Sequence, residues 1–165
     1  MSSVPEDSGC RRKRLPATGR VEGHTSHSHR ADFTLRCPSG DAVAVEAFLC
    51  YDTKDPLVVT LSFLRGEIEP IDWVLGRDLL IGGTALSVGD GDVRIHPGED
   101  DPGLVWLRLD APAGRAVLTG CRRQLTEFLD CTVALVPFGE ETAWLEIDAS
   151  ITRFFAEDRD DFPES

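Results

Sequence analysis

No stretch of this 165-residue chain approaches the roughly 18 consecutive apolar residues that a membrane-spanning helix needs. The secretory pattern is missing as well. Arg11–Arg14 is basic, but only Leu15-Pro-Ala-Thr-Gly-Arg20 follows it, with no apolar h-region. There is no C-x-x-C pair, and the five cysteines, Cys10, Cys37, Cys50, Cys121 and Cys131, are odd in number. Buried free thiols in a reducing cytoplasm fit this better than a disulfide framework or a zinc site. Nucleotide-binding loops of the G-x-x-x-x-G-K-[ST] or G-x-G-x-x-G type are absent, and so is the G-x-S-x-G of a hydrolase nucleophile. No internal repeat is visible.

Basic charge is scarce, and it is unevenly placed. Residues 1–30 carry six Lys/Arg and three acids, which leaves −15 on the remainder of a chain of net charge −12. So acidic a remainder repels phosphate backbones and disfavours nucleic acid over a broad face. Residues 1–30 also have almost no bulky apolar side chain. They read as a disordered basic leader, because too little apolar surface is available to offset ordering entropy. His24, His27 and His29 fall in this leader and read as a solvated tail rather than a metal site.

The segment from Cys50 to Leu80 organises what remains. Leu57–Leu64 alternates apolar and small polar residues with the two-residue period of a half-buried strand. Tyr51–Pro56 is a turn, and Arg65-Gly66-Glu67 connects to a further strand, Glu67–Trp73. Pro70 inside that run points to an edge, a bulge or a break. A short helix over about 74–81 follows, closed by Gly82-Gly83.

Strands are also expected at Asp32–Cys37, Ala42–Tyr51, Thr84–Val88, Val93–Pro97, Leu104–Leu109 and Arg115–Thr119. Trp73 and Trp106 are expected in the core. Cys121, Leu125, Phe128 and Leu129 form the apolar stripe of an amphipathic helix. A last short helix follows Asp148, with Ile151, Phe154 and Phe155 on its apolar face, before an acidic tail at 158–165. Strands with helices set apart give an α+β fold with a mostly antiparallel sheet over residues 31–157.

Candidate chemistry is sparse. His96 is the one histidine of the expected ordered part, and a pairing with Cys50, Cys121 or Cys131 stands against an exposed turn histidine among core thiols. Gly89-Asp90-Gly91-Asp92 lacks the spacing of a calcium loop and reads as a tight turn. Asp52, Asp55, Arg77, Asp78, Asp90, Asp92 and Arg94 all lie at element ends. Two readings of them stand: a recognition surface built on turns, or aspartates that cap turns and pair with Arg77 or Arg94. Trp144, near Phe138, is a further candidate anchor for a partner or a neighbouring subunit.

Three segments carry a family resemblance. Leu49-Cys-Tyr-Asp-Thr-Lys-Asp-Pro56, Trp73-Val-Leu-Gly-Arg-Asp-Leu-Leu80 and Gly89-Asp-Gly-Asp-Val-Arg-Ile95 resemble, in order and spacing, the signature segments of the SsgA-like proteins. These are sporulation and cell-division regulators of actinomycetes. The resemblance covers about Phe33 to Phe155. It implies a Whirly-like fold with curved antiparallel sheets, a short helix between two strand sets and C-terminal helices, assembled as a homo-oligomer with a trimer expected. It also implies a non-enzymatic protein without cofactor, in the cytoplasm at division septa. Its expected partners are other SsgA-like proteins or division proteins such as the tubulin-like FtsZ. A Whirly-like single-strand nucleic-acid binder is the alternative, disfavoured by the acidic charge. The basic leader departs from the family, whose members start close to the first strand; either it is specific to this protein, or the true start lies further down.

Overall fold

The computed structural model describes residues 24–144. Seven strands form one antiparallel sheet in the order β4-β3-β2-β1-β7-β6-β5. They run β1 Ser26–Arg36, β2 Ala42–Asp52, β3 Val58–Arg65, β4 Ile68–Gly76, β5 Val93–Pro97, β6 Leu104–Ala111 and β7 Gly114–Cys121. Helix α1 (Arg77–Gly83) joins β4 toward β5; α2 (Arg122–Leu135) and α3 (Glu141–Trp144) follow β7. The chain is thus α+β, a curled sheet with few helices. Each half is a meander of consecutive hairpins, and the non-local pairing of β1 with β7, Phe33 opposite Gly120, closes the two halves into one sheet.

One face of the sheet is covered. Alternate residues Val59, Leu61 and Phe63 of β3, Ala47, Leu49 and Tyr51 of β2, and Val105, Leu107 and Leu109 of β6 are buried together. Leu80 of α1 and Leu125, Phe128 and Leu129 of α2 close over them. Each Val, Leu or Phe side chain among them contributes roughly 1.5–3 kcal/mol by leaving water. Residues paired across strands share a face, so the same registers define the other, outer face.

β4 is an edge strand, as Pro70 foretells. Pro70 has no N–H to donate, and a register irregularity between Phe63 and Arg65 bends the ladder there. The other edge, β5, is covered in part by the bridge of Val88 to Ile95.

Several expectations shift. The first strand begins at Ser26 instead of near Ala31, because Ser26 through Arg36 pair continuously with Asp52 through Ala42. His24, His27 and His29 therefore belong to the ordered part. His27 is buried and stacked on Phe128 at 5.4 Å. His24 bonds Asp52, and among the described residues no group of three His, Cys, Asp or Glu could hold a metal. The expected strand at Thr84–Val88 is a single bridge. β4 runs on to Gly76, so the short helix starts at Arg77.

Trp73 is half-buried and packs against the core, opposite the inward Leu61, whereas Trp106 is half-buried on the other face, away from the core. In Trp106 the reason is parity: it lies opposite His96 and Thr119 on the outer face, between the inward Val105 and Leu107. Cys121 ends β7 and precedes α2 rather than lining its stripe. Cys37, Cys50, Cys121 and Cys131 are half-buried rather than fully buried. The helix expected after Asp148 and the acidic tail lie outside the described residues.

Candidate functional site

The longest polar assembly is built around Arg77, at the first position of α1. Its side chain is 1% exposed. One Nη donates to the Tyr51 hydroxyl (3.1 Å) and to the carbonyls of Thr132 (3.2 Å) and Val136 (2.7 Å). The other donates to Glu141 Oε1 at 2.6 Å. The guanidinium also lies 5.5 Å from the Tyr51 ring centre and 5.4 Å from that of Phe138.

The chemistry explains the arrangement. A helix leaves its last carbonyls unpaired and carries partial negative charge there. α2 has no basic residue in its last turn, so the cation comes from α1. Arg77 is thus a C-terminal cap supplied from a distance, and it ties α1, β2, α2 and α3 together. Burial raises the Tyr51 phenol above its ordinary pKa, against the opposing pull of Arg77. Glu141 is held below the usual carboxylate range, first by its own backbone N–H and then by Arg77, with burial opposing.

Arg77 therefore cannot be a direct contact residue in this fold, and the surface reading of it is corrected. A guanidinium enclosed by four elements is a structural tie. The missed signal was local: α2 runs into Val136-Pro137 with neither a glycine nor a cation to serve its carbonyls.

The other candidates fall into separate places. Asp52 and Asp55 lie at the turn between β2 and β3. Asp52 accepts from the Lys54 N–H at 2.8 Å and is 3.1 Å from His24 Nδ1, while Asp55 is exposed. Beside them a cleft of about 360 Å³ opens on the outer face, where Ser28, Cys50, Thr60 and Val74 form a row across four strands. Asp78 is exposed in the first turn of α1, where its charge favours the helix N-terminus. The N–H of Arg77 donates to the Leu57 carbonyl, so this helix start sits on the β2–β3 turn.

Asp90 and Asp92 are exposed in the turn before β5, and the Asp92 carbonyl accepts from the Asp110 N–H. Arg94 is exposed on the outer face, opposite Arg108. Trp144 ends α3, and its side chain lies outside the described residues. His96 stacks on Trp106, with Nδ1 3.0 Å from the Pro97 carbonyl oxygen. Turn capping therefore accounts for Asp52, and the candidates do not converge on one chemical centre.

Comparison with known proteins is specific. Residues 45–141 match the family described as Streptomyces sporulation and cell division protein, SsgA. The sporulation-specific cell division protein SsgB of Saccharopolyspora erythraea is 38% identical over 135 residues, which is 82% of this chain and 96% of that protein. SsgB of Streptomyces coelicolor is 36% identical over 135 residues, 81% of this chain and 98% of that one. A crystal structure of an SsgA-like sporulation-specific cell division protein from Thermobifida fusca superposes with a TM-score of 0.72 at 34% identity, covering 81% of this chain and 98% of that one. A structure from work on SsgB mutations and longitudinal cell division during sporulation of Streptomyces coelicolor gives a TM-score of 0.70 at 36% identity, covering 74% and 97%. With the Tyr51–Pro56 turn, the Arg77 helix and the β5 start all in place within the matched fold, the chain belongs to the SsgA family.

Proposed function

We propose that this protein is a non-enzymatic regulator of sporulation-specific cell division that works through protein contacts. The observation that carries the reading is the kinship with SsgB proteins along 96–98% of the length of two of them. In this reading it helps select septum sites, recruiting or steering FtsZ or septal cell-wall synthesis, in the cytoplasm at division septa. The curled antiparallel sheet with helices on one face fits a Whirly-type classification. In this reading the mechanism is contact rather than turnover; Asp52 serves a turn and Arg77 a helix end, and Asp55, Asp78, Asp90, Asp92 and Arg94 are exposed and available to a partner.

Self-assembly is part of the proposal. Along β4, Ile68, Ile71 and Val74 are 62%, 44% and 64% exposed. An apolar strand edge with unpaired N–H and C=O groups is a template for another chain. A homo-oligomer, a trimer in this reading, would cover it.

The test is a fluorescent fusion in a sporulating actinomycete beside labelled FtsZ. Ladders of foci at future septa are the expected result. A diffuse or nucleoid-bound signal overturns the reading.

A further inference from the structure

The outer face of β5, β6, β7 and β1 gathers positive charge that the acidic chain nowhere advertises. His96, Trp106, Thr119 and Thr34 form one row across the four strands. Arg94, Arg108 and Val117 form the next. Arg36, one residue past the paired Leu35, bonds Thr119 Oγ1 at 3.5 Å and places its guanidinium 5.7 Å from the Trp106 ring centre. His96 stacks on the same ring at 6.1 Å and an interplanar angle of 5°. α1 and α2 pack on the opposite side of the sheet, against inward residues such as Ile95 and His27.

Charge pairing on this face is incomplete. Arg108 and Arg115 share one carboxylate, Asp110, at 2.9 and 2.6 Å. Their hydrogen bonds, that of Arg115 first, hold Asp110 below the usual carboxylate range. Arg36 and Arg94 have no carboxylate partner among the described residues. Arg94 also lies directly opposite Arg108, an arrangement of like charges that weakens a strand pair. Arg36 and Arg94 are both exposed, so on this face of a chain with 29 acids and 17 Lys/Arg two guanidinia are available to carboxylates from elsewhere.

We propose that this face is a docking surface for a short, extended acidic peptide segment of a partner protein, an inference that rests on the reading of this chain as a contact protein. Guanidinium forks match carboxylates in geometry and charge. An extended segment lying across the rows would bring carboxylates to Arg36 and Arg94 on either side of Trp106. Single-stranded nucleic acid fits less well. Its bases need an open π-face, whereas His96 and Arg36 approach Trp106 from opposite sides of β6. A long polyanion would also run off the patch onto the acidic remainder. At physiological salt the Debye length is about 8 Å, so a short segment meets the patch and not the net charge.

The experiment is fluorescence anisotropy of the full chain with a fluorescein-labelled peptide of alternating Glu and Ser, beside a Lys–Ser peptide and an oligo-dT strand. The Glu peptide should bind, and binding should weaken as salt rises. Arg36→Glu with Arg94→Glu should lower affinity by roughly tenfold per guanidinium lost, the worth of a charge-assisted hydrogen bond. Arg123→Glu on α2 should leave it unchanged. If the double variant melts early, Arg94→Ala alone, which breaks no bond within the described residues, reads the same effect. Absent binding, undiminished binding by the folded variants, or tighter binding of oligo-dT would each overturn the proposal. The peptide result alone decides the surface. If the wild-type fusion marks septa while the peptide fails, the division reading stands without this surface; if the wild-type fusion is diffuse, that reading falls whatever the peptide does.

Discussion

Arg77 is where single-residue chemistry has the largest consequence. Its cation is buried beside Glu141, the Thr132 and Val136 carbonyls at the end of α2 and a phenol. Removing it strands a carboxylate and several acceptors, whereas a surface contact residue could be changed at little cost. Arg77→Met should lower unfolding free energy by about 1.5–3 kcal/mol, the range for losing a hydrogen bond from a charged group, because buried acceptors lose their donor. Urea denaturation checks this; a loss no larger than that of an exposed arginine would mean that the hub is not a tie. Arg77→Lys should recover only part, since one ammonium cannot reach carbonyls, phenol and carboxylate together.

Glu141 gives the hub a pH dependence. Its folded pKa lies below its unfolded one, so its contribution is fully present above the ordinary carboxylate pKa of about 4.3. The contribution is lost as pH falls through the lower folded value. Melting temperature should therefore drop on acidification, and Glu141→Gln should show a shallower drop over the same window. An identical pH profile for the two proteins would remove Glu141 from this account.

At the scale of elements, the junction of β1 with β7 depends on a missing side chain. Gly120 faces Phe33 across the one pairing that joins the two halves of the sheet, and a Cβ there would lie 2.6 Å from the Phe33 ring. Gly120→Ala should cost about 1–3 kcal/mol, the usual effect of overpacking. Phe33→Leu in the same chain should restore part of it, read by thermal melting of the pair. No rescue would mean that the strain lies elsewhere.

Elements themselves were largely legible, since their signals are local. Two-residue alternation marked β2, β3 and β6, and Pro70 marked the edge. The start of β1 was not legible, because Ser26–Arg30 is polar and is held by pairing with β2 rather than by its own composition.

For the whole molecule, the exposed β4 edge predicts assembly. Ile68→Lys with Ile71→Lys places charge on that edge, a natural block to strand pairing. Light scattering should show an oligomer for the wild type, as proposed, and a monomer for the variant. An unchanged mass would place the subunit interface elsewhere.

The net charge of −12 argued against a basic groove, but a sum says nothing of where the charges lie. It hides the outer-face patch, because Arg36, Arg94, Arg108 and Arg115 are scattered along the chain and are gathered only by the pairings of β1 with β7, β7 with β6 and β6 with β5. By itself the sequence determined which residues alternate, where the turns fall and, through three short segments, the family. Those depend on neighbours within a few residues. Only the tertiary structure decided that Arg77 is enclosed, that Trp106 faces outward and that the guanidinia share a surface. Alternation sorts a strand into two faces, but which face is covered, and which strands lie side by side, is set by contacts between residues far apart in the chain.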